Sequence, residues 1–106
     1  PSYEQKTIPQ SLKEGKLVLI ASSIKTDTSV LIHGDTSLYA GIFNQDQETS
    51  LSLNLNRKAY VHLIRGELKV NDIQLKSGDA LMLENEPLVN ISKGSAAEVL
   101  VFDLAA

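Results

Sequence analysis

Short alternating stretches of apolar and polar residues, separated by tight turns, fill residues 51–92 of this 106-residue chain. The clearest example places Leu51, Leu53 and Leu55 at every second position, with polar residues between them. Successive side chains of a strand point to opposite faces, so this spacing predicts a strand with one buried face and one wet face. The chain is therefore expected to be built from β-strands.

Turn residues divide the rest of the chain into similar short runs. Asn71 and Asp72 tolerate positive φ and stand between two apolar runs, which predicts a two-residue hairpin turn. The predicted strands are residues 17–20, 29–33, 37–43, 48–55, 59–65, 67–70, 73–75, 80–84, 88–92 and 98–104. Roughly nine or ten short strands without a convincing long helix indicate an all-β sandwich or barrel.

The first fifteen residues differ in character from the rest of the chain. They are polar and are interrupted by Pro9 and Gly15, which predicts a linker segment over residues 1–15 with at most one short helical turn, at residues 11–14. Residues 16–106 are then expected to form a single β-domain, since a chain of this length encloses one modest core.

Composition excludes several classes of function. With 42% hydrophobic residues, 22% charged residues and a net charge of -3, the chain has the composition of an ordinary globular domain. Its densest basic spot is the pair Arg57 and Lys58, which is too small for the basic patch that phosphate binding requires. Nucleic acid is therefore not an expected partner.

The cysteine count and the hydropathy pattern bear on localisation. The sequence has no Cys, which rules out disulfides, thiolate chemistry and cysteine zinc sites and suits a reducing cytoplasm. No run approaches the roughly 18 apolar residues of a membrane helix. A cytoplasmic protein without a membrane partner is expected.

A family resemblance rests on glycines and turns in a fixed order. Gly66, the hairpin, and then Gly78 and Asp79 followed by an apolar strand and a turn containing Pro87 resemble the barrel of the cupins, a jelly-roll superfamily. Four segments narrow the resemblance to the carboxy-terminal half of bacterial pirin-like proteins, the two-cupin family that includes quercetin 2,3-dioxygenases. They read PSYEQK, SVLIHGDTSLYAGIF, AYVHLIRG and AEVLVFDL, and together they span essentially the whole chain.

That resemblance implies a cupin (jelly-roll) barrel whose catalytic metal belongs to a preceding domain. The only methionine is Met82, so either an initiator Met was removed before Pro1 or the sequence is a fragment of a longer protein. The family places a linker at the opening PSYEQ-like segment, after the metal-bearing cupin. A fragment carrying the second cupin is the interpretation that the resemblance implies.

The cupin ligand pattern implies four positions at which this chain has no metal ligand. Counting from the two glycines, the positions that hold His, His, Glu and His in metal-binding cupins hold Leu53, Leu55, Ala59 and Val89. Aliphatic side chains offer a metal no lone pair. No metal and no other cofactor is expected in this chain, and the four positions are expected to be packed core.

Few other residues are candidates for chemistry. His33 and His62 are the only histidines, and neither belongs to a metal-ligand motif. The acid pair Glu84 and Glu86, like Asp46 and Glu48, falls in a turn or loop where carboxylates are usually solvated. No nucleophile motif is present, so no catalytic residue is assigned.

The strand at residues 59–65 has an outer face of unusual composition. If Ala59 and its alternate neighbours point inward, then Tyr60, His62 and Ile64 point outward together. Amphipathic rings beside an aliphatic residue recur at protein interfaces, although scattered exposed apolar residues are also common. The hypothesis is that this face packs against the first cupin domain of the same protein or against a second copy of the chain.

The sequence is compatible with three functions. The first is a non-catalytic, structural carboxy-terminal cupin domain that supports a metal-bearing partner domain, and the missing ligands favour it. The second is a small stand-alone cupin with quercetinase-like activity, and the third is a module that binds a small ligand at the barrel mouth or another protein. The sequence does not identify a physiological substrate or an oligomeric state.

Overall fold

The computed structural model describes residues 14–22, 30–31, 36–45, 47–54 and 56–105. These residues form eight strands and no helix, as the sequence predicts for an all-β fold. The strands are β1 (Leu17–Ser22), β2 (Val30–Leu31), β3 (Thr36–Phe43), β4 (Thr49–Ser52), β5 (Arg57–Val70), β6 (Ile73–Lys76), β7 (Ala80–Glu84) and β8 (Leu88–Ala105). The proposed helical turn at residues 11–14 and nearly all of the linker segment lie outside the described residues.

The strand count is lower than the roughly nine or ten that the sequence predicts, because two pairs of predicted strands are continuous. Residues 59–65 and 67–70 both belong to β5, and residues 88–92 and 98–104 both belong to β8. The pairing of β5 with β8 shifts register three times between Leu63 and Lys69, and Gly66 has a φ of 82°. Such irregularities bend a strand without ending it.

The bends let one sheet curl around a core. The strand order is β2-β1-β3-β8-β5-β6, with β4 also paired to β8 and β7 also paired to β5. The first part of β8 pairs with β4 and its later part pairs with β3, so the two halves of this long strand belong to different regions of the sheet. Among the eight described strands, all pairings are antiparallel except that of β1 with β2.

Alternating residues of the long strands form the core. In β5, Ala59, Val61 and Leu63 are fully buried, as their spacing predicts. Val61 lies opposite Val101 and Leu63 lies opposite Val99, so the inward-facing residues of β5 pair with inward-facing residues of β8. Burying an aliphatic side chain of this size contributes about 1.5–3 kcal/mol, which makes this interior the main source of stability.

The predicted hairpin turn is confirmed between β5 and β6. Asn71 and Asp72 have φ values of 48° and 67°, and Val70 pairs with Ile73 across them. The Asn71 carboxamide also donates to the Leu88 carbonyl at 3.1 Å and accepts from the Asn90 amide at 2.7 Å. These two hydrogen bonds anchor the turn to β8.

Candidate functional site

Three of the four positions at which the resemblance implies metal ligands lie in the apolar core that the structure describes. Leu53 is 9% exposed, while Ala59 and Val89 are fully buried, and all three belong to one hydrophobic cluster. Ala59 lies opposite Leu83 of β7, and Val89 lies opposite Leu51 of β4. Leu55, the fourth position, lies outside the described residues.

The side chains of Leu53, Ala59 and Val89 supply no donor atoms for a metal. Zinc, iron, nickel and copper require imidazole, carboxylate or thiolate ligands, and the three described positions offer only carbon. Within the part of the chain that the structure describes, no cluster of three or more His, Asp or Glu residues could hold a metal ion. His33 and Asp46 lie outside that part.

The outer surface of β5 carries the three interface candidates on one side of the sheet. Tyr60 is 36% exposed and Ile64 is 41% exposed, while His62 between them is half-buried. Tyr60 lies opposite Phe102 of β8, and the two rings are 6.0 Å apart and tilted by 55°. The candidates are therefore part of a wider apolar surface.

Neighbouring strands extend this surface in both directions. Met82 of β7 lies opposite Tyr60 on its other side and is 46% exposed, and Leu100 of β8 lies opposite His62. We call this surface the outer apolar face; it comprises Tyr60, His62, Ile64, Met82, Leu100 and Phe102. Sequence reasoning missed Met82, Leu100 and Phe102 because they come from other strands. The alternation in β8 does indicate that Leu100 and Phe102 point away from the side on which Val99 and Val101 lie.

Ion pairs stand at both ends of the outer apolar face. At one end the Lys58 ammonium lies 3.4 Å from the Glu84 carboxylate, and at the other the Arg65 guanidinium lies 3.1 Å from Glu98. The sequence interpretation of Glu84 as a solvated acid is incomplete, since this exposed side chain pairs with a neighbouring cation. Glu86, by contrast, is exposed as predicted.

A largely buried ion pair between Arg57 and Asp103 lies at the end of the barrel. The Nε of Arg57 donates to Oδ1 of Asp103 at 2.7 Å, and its Nη2 donates to the backbone carbonyl of Asp103 at 3.0 Å. Both side chains are largely buried, at 14% and 19% exposure. This arrangement, the Arg57–Asp103 clamp, joins the start of β5 to the end of β8.

Tyr39 lies beside the Arg57–Asp103 clamp on the inner side of the sheet. Burial raises the pKa of the Tyr39 phenol, the Asp103 charge raises it further, and the Arg57 charge partly offsets the rise. The phenol therefore keeps its proton at neutral pH.

A cleft opens next to the clamp, between the β4–β5 connection and the β7–β8 turn. Its volume is about 340 Å³. Its exposed lining consists of Asn54, Asn56, Asn85, Glu86 and Pro87, and its buried or largely buried lining is Leu53 and Arg57. We call it the barrel-mouth cleft. Sequence reasoning placed Asn54 on the wet face of a strand and Asn85 in a turn, and did not bring them together.

Comparison with known proteins identifies related sequences and folds. A family described as the quercetinase C-terminal cupin domain matches residues 19–104. The "Putative quercetin 2,3-dioxygenase PM1685" of Pasteurella multocida is 30% identical over 98% of this chain and 44% of its own length. A pirin-like protein of Caulobacter vibrioides is 26% identical over 99% of this chain and 46% of its own length.

A solved structure agrees with these relatives. The bacterial pirin YhhW of Escherichia coli, crystallised in complex with nickel(II), is 26% identical and superimposes with a TM-score of 0.80 over 85% of this chain and 39% of its own. The chain thus spans less than half the length of these three relatives. Its sequence and its strand arrangement place it in the family of quercetinase C-terminal cupin domains.

Proposed function

We propose that this chain is a non-catalytic carboxy-terminal cupin domain of a pirin-like protein and packs against a metal-bearing amino-terminal cupin domain. The observation that carries the proposal is the packing of Leu53, Ala59 and Val89 into one apolar core at positions where other cupins hold metal ligands. Without donor atoms, the barrel interior has no means of activating a metal-bound substrate. Any dioxygenase activity would then belong to the other domain.

The outer apolar face supports the partner role. Exposed Tyr60, Ile64 and Met82 are contiguous with the ring of Phe102, and aromatic and methionine side chains are enriched at protein interfaces. The ion pairs at its two ends provide the polar rim that interfaces of this kind carry. A second copy of the chain could occupy the same face if the domain exists alone.

We also propose a cytoplasmic location for the protein. The absence of Cys suits the reducing cytoplasm, where we place the protein. Among the described residues, no helix has the length and hydropathy that crossing a membrane requires.

Metal analysis tests the non-catalytic role. After incubation with Fe(II), Ni(II), Cu(II) or Mn(II) and gel filtration, the purified chain should retain far less than one metal ion per molecule, because the core offers only carbon at Leu53, Ala59 and Val89. Elemental analysis and a flavonol turnover assay provide the measurements. Stoichiometric metal together with flavonol turnover would show that the chain is an enzyme and end the proposal.

Substitution of Ile64 by lysine tests the docking face. In the parent protein with both cupin domains, Ile64→Lys should make the two domains melt separately and expose the linker to protease, because a buried ammonium would oppose docking. Ile73→Lys is the matched control, since Ile73 is similarly exposed, at 46%, but lies on β6 away from this face.

The outcomes separate the two possible occupants of the face. If Ile64→Lys and Ile73→Lys leave domain coupling equally intact, the face does not contact the amino-terminal domain. Sedimentation of the isolated chain tests the second copy: a monomer both with and without Ile64→Lys rules out self-association through this face.

A further inference from the structure

The barrel-mouth cleft contains polar groups that the fold does not use. Asn54, Asn56, Asn85 and Glu86 are exposed, and their side chains form no hydrogen bond or ion pair to another residue within the described ranges. They come from two connections on opposite sides of one cleft. Positive φ accounts for asparagine at positions 56 and 85, whereas no contact within the described ranges accounts for the side chains of Asn54 and Glu86.

The cleft is held open by contacts beneath and between its two sides. The Leu53 amide donates to the Pro87 carbonyl at 2.9 Å and so joins the two connections. Asp103 holds the Arg57 guanidinium in place at the cleft. Asn56 and Asn85 have φ values of 62° and 60°, a left-handed backbone conformation that asparagine adopts more readily than most residues. A ligand would meet a site that is largely formed before it binds.

The chemistry of the lining indicates the class of ligand. Each carboxamide offers two donors and an acceptor, and the Glu86 carboxylate offers acceptors only. The charge of Arg57 is balanced by Asp103, so the remaining charge at the cleft is the negative charge of Glu86, which disfavours anions. Leu53 adds an apolar patch that C–H groups can contact. The volume of about 340 Å³ lies within the range of small-molecule pockets.

We propose that the barrel-mouth cleft binds a small neutral polyol, such as a monosaccharide, through the side chains of Asn54, Asn56, Asn85 and Glu86. Vicinal hydroxyl groups both donate and accept, and so match the mixed donors and acceptors of the lining. This binding needs neither a metal nor the partner domain and is independent of the proposed docking role.

Titration of the isotopically labelled chain with D-glucose, glycerol and catechol, followed by amide NMR shifts, tests the proposal. D-glucose should produce saturable shifts confined to residues 53–57 and 85–86. Asn54→Ala should weaken binding about two- to tenfold, which is the effect of one lost hydrogen bond. Glu67→Ala, an exposed change outside the cleft, should leave the affinity unchanged.

Several results would overturn the proposal. These are shifts that stay linear with concentration, shifts centred elsewhere, or equal affinities of Asn54→Ala and the wild-type chain. Saturable binding of catechol without binding of either polyol would show that the cleft recognises flat rings and reject the ligand class. If Asn54→Ala does not fold, Glu86→Ala replaces it. Ile64→Lys should bind D-glucose normally, which keeps this result separate from the docking proposal.

Discussion

Replacing Gly66 with alanine should lower the free energy of unfolding by about 4 kcal/mol, because strain and overpacking act together. Gly66 has a φ of 82°, in the left-handed region that a Cβ disfavours. An added Cβ would also lie 2.2 Å from the carbonyl oxygen of Ala96 and 2.6 Å from the Cα of Ala97. Both are backbone atoms of β8, so no side chain can rotate away.

Gly78 provides a matched control for the Gly66 substitution. Its φ of 87° is nearly the same, but an added Cβ would meet nothing within 4 Å. Gly78→Ala should therefore cost only the conformational strain, about 1–2 kcal/mol. Urea unfolding of both variants measures the difference. If the two variants are equally stable, the inference that β5 and β8 approach too closely at Gly66 to admit a Cβ is wrong.

The alternation of apolar residues predicts which side chains face the core. Ala59, Val61 and Leu63 are buried and Tyr60 and Ile64 are exposed, as spacing alone predicts. The reason is geometric, because a strand with one buried face fixes the direction of every second residue. The family resemblance adds what alternation cannot, since it relates particular core positions to metal ligands in other cupins.

The path of β8 could not be predicted from residue type. Lys93 and Ala96 have φ values of 56° and 47° within a continuous strand, and neither residue type favours that conformation. A Cβ on Gly94 would lie 2.4 Å from the Cβ of Phe43, so packing against β3 sets the course of the strand there. Such contacts between distant parts of the chain leave no local pattern in the sequence.

The residues that form the barrel mouth could not be predicted from the sequence for the same reason. The sequence presents Arg57 as half of a small basic spot, whereas the fold pairs it with Asp103, 46 residues away. The cleft beside it likewise combines residues from two separate connections. Their proximity depends on the register of β5 against β8 and β7, which the hydrophobic pattern restricts but does not specify.

Removing the Asp103 carboxylate should destabilise the chain by about 3 kcal/mol, because Asp103→Ala takes away a counter-charge that lies 2.7 Å from the largely buried Arg57 guanidinium. Asp103→Asn should be milder, since a carboxamide keeps a hydrogen-bond acceptor while losing the charge. The pKa of Tyr39 should fall in Asp103→Ala, since the Asp103 charge that raises it is gone and the Arg57 charge that lowers it remains. Urea unfolding and ultraviolet titration of the phenol measure these effects.

The double variant Arg57→Met with Asp103→Leu distinguishes the energy of the ion pair from the cost of a buried charge that has lost the Asp103 carboxylate. Replacing both partners with apolar side chains removes the charges together, so the double variant should be more stable than Asp103→Ala and come within about 1 kcal/mol of the wild-type chain. A double variant as unstable as Asp103→Ala would mean that the hydrogen bonds of the clamp, and not the loss of the Asp103 counter-charge alone, hold β5 to the end of β8.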